Sequence, residues 1–206
     1  MNKVALVLGT LGAGGVVGGG IVLSSQFLLK TQRKNIKDHL AKDGYQILDI
    51  KASEHWTNIL NSYKKDGNIW KLEGKDISNI EDLKSVCNSK ATSDYSEVLY
   101  KSFTKWCVVP RTAEDLLRGN FSLLESDDSH ATDKEAWKHN VNAYETAKKG
   151  EQYSLSDVSF KDKTGEDDKT KALKKGCKDR KGKFTYDVDL DSSLGEIKKW
   201  CLSKNS

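Results

Sequence analysis

Four cysteines are the residues whose type and spacing most directly suggest chemistry: Cys87 and Cys107 enclose 19 residues, Cys177 and Cys201 enclose 23. Thiols can hold a metal, attack a substrate or pair with one another. Zinc needs C-x-x-C steps or a nearby cluster of cysteine and histidine, and the chain has neither. Pairing therefore leads, and four cysteines allow three pairings. The competing reading is free thiols packed as small hydrophobes beside Trp106 and Trp200.

Other chemistry-bearing residues lead to fewer assignments. His39, His55, His130 and His139 have no partner pattern of the kind a nucleophile and base require. Asp187, Asp189 and Asp191 begin like a calcium loop, but Ser192 stands where the turn glycine belongs and Lys198 where the bidentate glutamate belongs. No catalytic, cofactor-binding or metal-binding set is assigned, and the chain is expected not to be an enzyme. Trp56, Trp137, Trp106 and Trp200 have the residue type of a carbohydrate or lipid surface. Their helical register with Tyr and Leu assigns them to core packing instead.

The elements that carry these residues read as mainly helical. Trp56, Ile59, Leu60 and Tyr63 keep i, i+3, i+4, i+7 spacing, and Trp137, Val141 and Tyr144 keep i, i+4, i+7. Tyr95, Val98, Leu99, Phe103 and Trp106 extend such a stripe over three turns. Capping boxes at Ser78 with Glu81, Thr132 with Glu135 and Ser193 with Glu196 mark helix starts. Strand is admitted only at Tyr45 to Ile50 and Phe184 to Val188.

The order of landmarks repeats. Gly44-Tyr45-Gln46-Ile47-Leu48-Asp49 is answered by Asn120-Phe121-Ser122-Leu123-Leu124-Glu125, and Trp56 with Tyr63 by Trp137 with Tyr144. Leu83 to Cys87 is answered by Leu173 to Cys177, and the ending Lys105-Trp106-Cys107 by Lys199-Trp200-Cys201. An ordered series of this kind is the signature of internal duplication. Duplication selects Cys87 with Cys107 and Cys177 with Cys201, because a bond within one copy survives copying intact. Such staples suit an oxidising compartment. The second copy carries about nine extra residues between Tyr144 and Cys177, including the charged run Lys161 to Lys169, which reads as an exposed connection. Pro110 marks the junction, where a helix should already have ended. Each copy reads as a cluster of three or so short helices.

Composition excludes some functions. Net charge is +4 with acid and base interspersed, so the clustered cationic face of a nucleic-acid binder is missing. Five Trp, seven Tyr and five Phe argue against disorder.

Val4 to Leu29 runs without a charge, and a helix of that length exceeds a hydrocarbon core of roughly 30 Å. It reads as a single-pass anchor in the lipid bilayer. A cleaved signal peptide is the main competitor, but the run is long and no A-x-A site ends it. Gly14 with Gly18 and Gly15 with Gly19 sit four apart, a spacing that lets helices approach closely and permits a homo-oligomer. Lys30, Arg33, Lys34 and Lys37 follow the span, which taken alone puts the body in the cytoplasm. The duplicated cysteine pairs point the other way, and the reading follows them: a cell-membrane protein with an extracellular C-terminal body.

The glycine-rich apolar start, the W-x6-Y helix, the paired cysteines and the twice-used K-W-C ending together resemble the large paralogous hypothetical-protein families of haemotropic mycoplasmas. The likeness covers nearly the whole chain, and thirty lysines against four arginines fit an AT-rich source. It implies a membrane-associated surface component, one of many divergent copies, that varies the antigenic face shown to a host. It carries over no functional residue.

The expected architecture is thus mainly α: an N-terminal transmembrane helix (residues 1–30) followed by two tandem, related helical modules (31–109 and 110–206). The expected function is host-facing interaction, with a self-associating membrane scaffold as the alternative.

Overall fold

The computed structural model describes residues 35–51, 53–127, 132–147 and 154–203. Val4 to Leu29 and the glycine pairs lie outside them. Among the described residues no helix is long and apolar enough to cross a membrane. Arg33 to Ser206 form one compact unit.

Among the described residues eight α-helices appear in order: α1 (Ile36–Lys42), α2 (Ser53–Tyr63), α3 (Ile80–Lys90), α4 (Glu97–Trp106), α5 (Ala113–Leu117), α6 (Lys134–Thr146), α7 (Glu166–Lys181) and α8 (Leu190–Trp200), with a 3-10 turn at Leu72–Gly74. Among the described residues extended pairing is limited to isolated bridges, Ile47 with Val108 and Leu123 with Leu202 among them. The two segments admitted as strand therefore each supply one bridge residue, Ile47 and Phe184, and no strand.

Two hydrophobic clusters form the interior. The first gathers Ile36, Leu40, Trp56, Ile59, Tyr63, Leu83, Phe103 and Trp106 around the disulfide of Cys87 and Cys107. The second gathers Ala113, Leu117, Trp137, Val141, Leu173, Ile197 and Trp200 around that of Cys177 and Cys201. Their Cα atoms are 5.4 and 5.7 Å apart, the usual disulfide span.

The contacts that hold each cluster are made twice. The Trp56 indole N–H donates to the Asp49 carbonyl (3.0 Å), and that of Trp137 donates to Glu125 (2.9 Å). Tyr63 meets Trp106 edge-on at 5.0 Å, and Tyr144 meets Trp200 at 4.9 Å. The Tyr63 hydroxyl donates to the Lys75 carbonyl and that of Tyr144 to Leu155, so each phenol satisfies a loop carbonyl as it is buried. Leu48 N–H donates to the Cys107 carbonyl and Leu124 N–H to that of Cys201. Ile36 N–H donates to Ser93 and Ala113 N–H to Lys183.

The correspondence between the halves is not literal. Asn140 stands one turn after Trp137 where Ile59 follows Trp56, and it is buried. Its amide donates to the carbonyls of Trp200 and Leu202, both at 3.0 Å, so the buried polar group is satisfied. Gly176 replaces Val86 in the corresponding turn, and a Cβ there would lie 2.4 Å from Val158 Cγ2. Glycine at this position lets the added segment around Leu155 and Val158 lie directly on α7.

Several helix starts differ from expectation. α3 is capped by Asn79, whose side chain accepts from Asp82 N–H, one residue beyond Ser78 and Glu81. α6 follows Asp133, which makes no side-chain cap, and Ser193 lies inside α8. The full capping boxes are Asn35 with Asp38 and Thr112 with Asp115, and they open α1 and α5, the helices that raise each set from three to four. Tyr95 and Val98 are exposed (42% and 71%), so the buried part of the α4 stripe is Phe103 and Trp106. Glu166 to Lys169 are the first turn of α7, which shortens the exposed connection.

Removing one staple tests how much each cluster relies on it. Closing a loop of about 20 residues stabilises by roughly 3 kcal/mol in the chain-entropy model. The double substitution Cys87→Ala, Cys107→Ala should lower urea-unfolding stability by about that amount. An unchanged midpoint would show the bond to be dispensable.

Candidate functional site

The residues singled out from the sequence separate into structural roles. All four cysteines are paired, and Trp56, Trp106, Trp137 and Trp200 are buried core. His39 stacks on Tyr95 at 4.0 Å, His55 lies 3.9 Å from Glu54, and His139 is exposed. His130 lies outside the described residues. Asp187 accepts from Phe184 N–H (2.8 Å), Asp189 pairs with Lys183 (2.9 Å), and Asp191 accepts from the Trp70 indole (3.2 Å). Their carboxylates serve three different partners, although the Asp187 carbonyl and the Asp191 carboxylate both face Lys105.

Asp191 leads to the feature that spacing alone did not reveal, a cleft of about 230 Å³ where α4 faces α5 and α8. α4 contributes Lys101, Thr104 and Lys105, an i, i+3, i+4 set on one face. α8 contributes Leu190, Asp191 and Leu194, and α5 contributes Leu116. Trp70 and Tyr45 come from loops of the first half, and Thr185 from the turn before α8. Trp70 is the one tryptophan without a counterpart in the second copy, and this is the signal that could have marked it.

Lys105 is the unusual member. Its relative in the repeat, Lys199, is half-buried with its ammonium 5.0 Å from the Trp200 ring. Lys105 is only 5% exposed, because the turn into α8 covers it. Its Nζ donates to the Asp187 carbonyl at 3.2 Å and lies 3.7 Å from Asp191 Oδ2, too far for a hydrogen bond. An ammonium has three donors, so this one is sparsely partnered for its depth. Burial pulls its pKa below the ordinary lysine value, and the charges of Asp191, Asp187 and Asp189 oppose that shift.

The rest of the lining is better satisfied. Lys101 pairs with Glu97 at 2.6 Å and holds its ammonium 5.7 Å from the Trp70 ring centre. The Thr104 hydroxyl donates to the Lys101 carbonyl. Arg111 lies over the Tyr45 ring at 5.4 Å, and burial raises the Tyr45 phenol above its usual value against the pull of that guanidinium. The cleft therefore offers a half-buried indole, three leucines, a buried ammonium and a carboxylate within a few ångströms of one another. Such a lining can bind a small molecule.

No family model, no curated protein and no solved structure matches the chain.

Lys105 gives a signed dependence on pH. Its folded pKa is depressed, so between that value and the unfolded lysine value of about 10.4 the unfolded chain binds more protons, and stability rises with pH. Lys105→Met should raise stability near pH 7 by removing a poorly paired buried charge. Its advantage over the parent should shrink as pH climbs toward about 10. Urea melts of both proteins at neutral and alkaline pH give the comparison; an advantage that stays constant would rule out the depressed ammonium.

Proposed function

We propose that this chain is a single-pass, membrane-anchored surface protein whose extracellular body acts by binding, as a host-facing or antigenic module, and carries no catalysis. The observation that supports this most is the pair of disulfides, one in each half at matching positions, since such staples belong to oxidising compartments. The uncharged run from Val4 to Leu29 supplies the anchor. The doubled contacts of the two cores support a body built of two related modules that arose by duplication. The likeness to the paralogous surface families of haemotropic mycoplasmas agrees with this reading.

The charged and aromatic faces that such a body turns outward are where a host component would dock. Tyr95, Phe121 and Phe184 are exposed aromatic residues, the kind of side chain enriched where partners dock. Protease added to intact cells should remove residues beyond the anchor, read by an antibody to the C-terminus. Survival of the body until the membrane is permeabilised would refute the surface placement.

A second reading rests on the glycines four apart, Gly14 with Gly18 and Gly15 with Gly19. Such spacing lets two membrane helices pack closely, so the protein would also act as a self-associating scaffold. Replacing Gly15 and Gly19 with leucine should abolish crosslinked dimers in membranes, and undiminished crosslinking would remove the scaffold reading.

A further inference from the structure

We propose that the cleft between α4, α5 and α8 is a binding site for a free α-amino acid with an apolar side chain. This deepens the binding role proposed above by naming a ligand class, but its test does not depend on which side of the membrane the body occupies.

The inference starts from the two opposite charges. Lys105 Nζ and Asp191 Oδ2 stand 3.7 Å apart without a hydrogen bond between them. The ammonium and carboxylate of an α-amino acid hang on one carbon, so they can reach two such groups together, carboxylate to Lys105 and ammonium to Asp191. Each protein charge would then gain one further charge-assisted hydrogen bond, Lys105 beside the one it gives the Asp187 carbonyl and Asp191 beside the one it accepts from Trp70. Both contacts of Asp191, from Trp70 and from Lys105, fall on Oδ2, which leaves Oδ1 to accept from a ligand.

The walls decide the side chain. Leu116, Leu190 and Leu194 with the Trp70 indole make an apolar lining beside the charges. A ligand carrying charge alone would leave that surface wet, and a purely apolar ligand would add no partner to the ammonium of Lys105 or the carboxylate of Asp191. Lys101, which pairs with Glu97, also lines the cleft. Size sets the upper limit. A cavity of about 230 Å³ is below the roughly 300 Å³ at which drug-sized pockets begin, so it suits one small molecule.

A buried lysine whose partners are one carbonyl and one ion-paired carboxylate is also costly in the empty protein. Departures of this kind from well-satisfied packing gather at functional sites. Lys199, at the same place in the repeat, shows that the K-W-C ending does not by itself require a buried ammonium.

The test is isothermal titration calorimetry of the full chain in detergent micelles with L-leucine, isovalerate and 3-methylbutylamine. L-Leucine should bind saturably at one per chain. Isovalerate, which lacks the ammonium, and 3-methylbutylamine, which lacks the carboxylate, should each bind at least about tenfold more weakly, since one charge-assisted hydrogen bond is lost. Lys105→Met and Asp191→Asn should each weaken L-leucine by about tenfold or more. Asp191 is 61% exposed at its side chain, so its substitution keeps the test valid should Lys105→Met disturb the fold. Absence of saturable L-leucine binding to the parent chain overturns the proposal, as does equal binding of isovalerate or an unaffected Asp191→Asn variant. Protease shaving bears on the placement of the body alone, so the two readings fail separately.

Discussion

Everything in the body depends on where the chain is pinned after α4 and after α8. In each half a cysteine within a helix, Cys87 in α3 or Cys177 in α7, is bonded to the residue that ends the next one, Cys107 or Cys201. The carbonyl of that terminal cysteine accepts from the segment entering α2 or α6, through Leu48 or Leu124. One residue thus ties three parts of a half together, covalently and by a backbone hydrogen bond. The tryptophan before it is directed into the core as a result, and the Tyr63 or Tyr144 ring closes against that indole. Small domains that bury little apolar surface need such a pin, because helices of 10 or 11 residues such as α4, α3 and α8 are marginal on their own.

The same pin explains why the two halves diverge where they do. Sites that touch the pinned core keep their chemistry, as in Trp56 and Trp137 with their carbonyl partners. Away from it the second half has lengthened its third helix to 16 residues and laid an added segment over Gly176. Arg180 fastens that segment, bridging Asp157 and Glu196, and both charge partners sit within hydrogen-bond reach. Acidic residues in the first turn of α7 and basic ones in its last turn suit the helix dipole, which makes the longer helix tolerable despite its weak apolar content.

Local features of this design were legible in the sequence. The seven-residue step from Trp to Tyr places both rings on one helix face, and the cysteine landmarks recur in one order, so α2, α6 and both disulfides follow from pattern. α1 and α5 did not, because their capping boxes use Asn35 with Asp38 and Thr112 with Asp115, an aspartate where glutamate or glutamine is the usual sign. Ser193 misled because the helix had already begun at Leu190. Phe184 to Val188 alternates as strands do and Tyr45 to Ile50 is a short run rich in apolar residues, yet each finds only an isolated bridge, and no ladder grows from a single pair. The cleft was beyond any local pattern. Trp70, Lys105 and Asp191 lie far apart in the chain, and the burial of Lys105 is imposed by a turn some eighty residues later.

The placement of the disulfides has a mechanical consequence. A body tethered at one end and held by a partner elsewhere is under tension along its chain. The twenty residue steps from Cys87 to Cys107 and the twenty-four from Cys177 to Cys201 lie behind covalent crosslinks and cannot lengthen. Roughly 70 Å and 80 Å of extended contour are thereby withheld, at about 3.4 Å per step. Pulled at its ends, the body would extend only outside those two loops, in α1, α2, α5, α6 and the leading parts of α3 and α7, while the segments from Cys87 to Cys107 and from Cys177 to Cys201 stay closed as short, inextensible links.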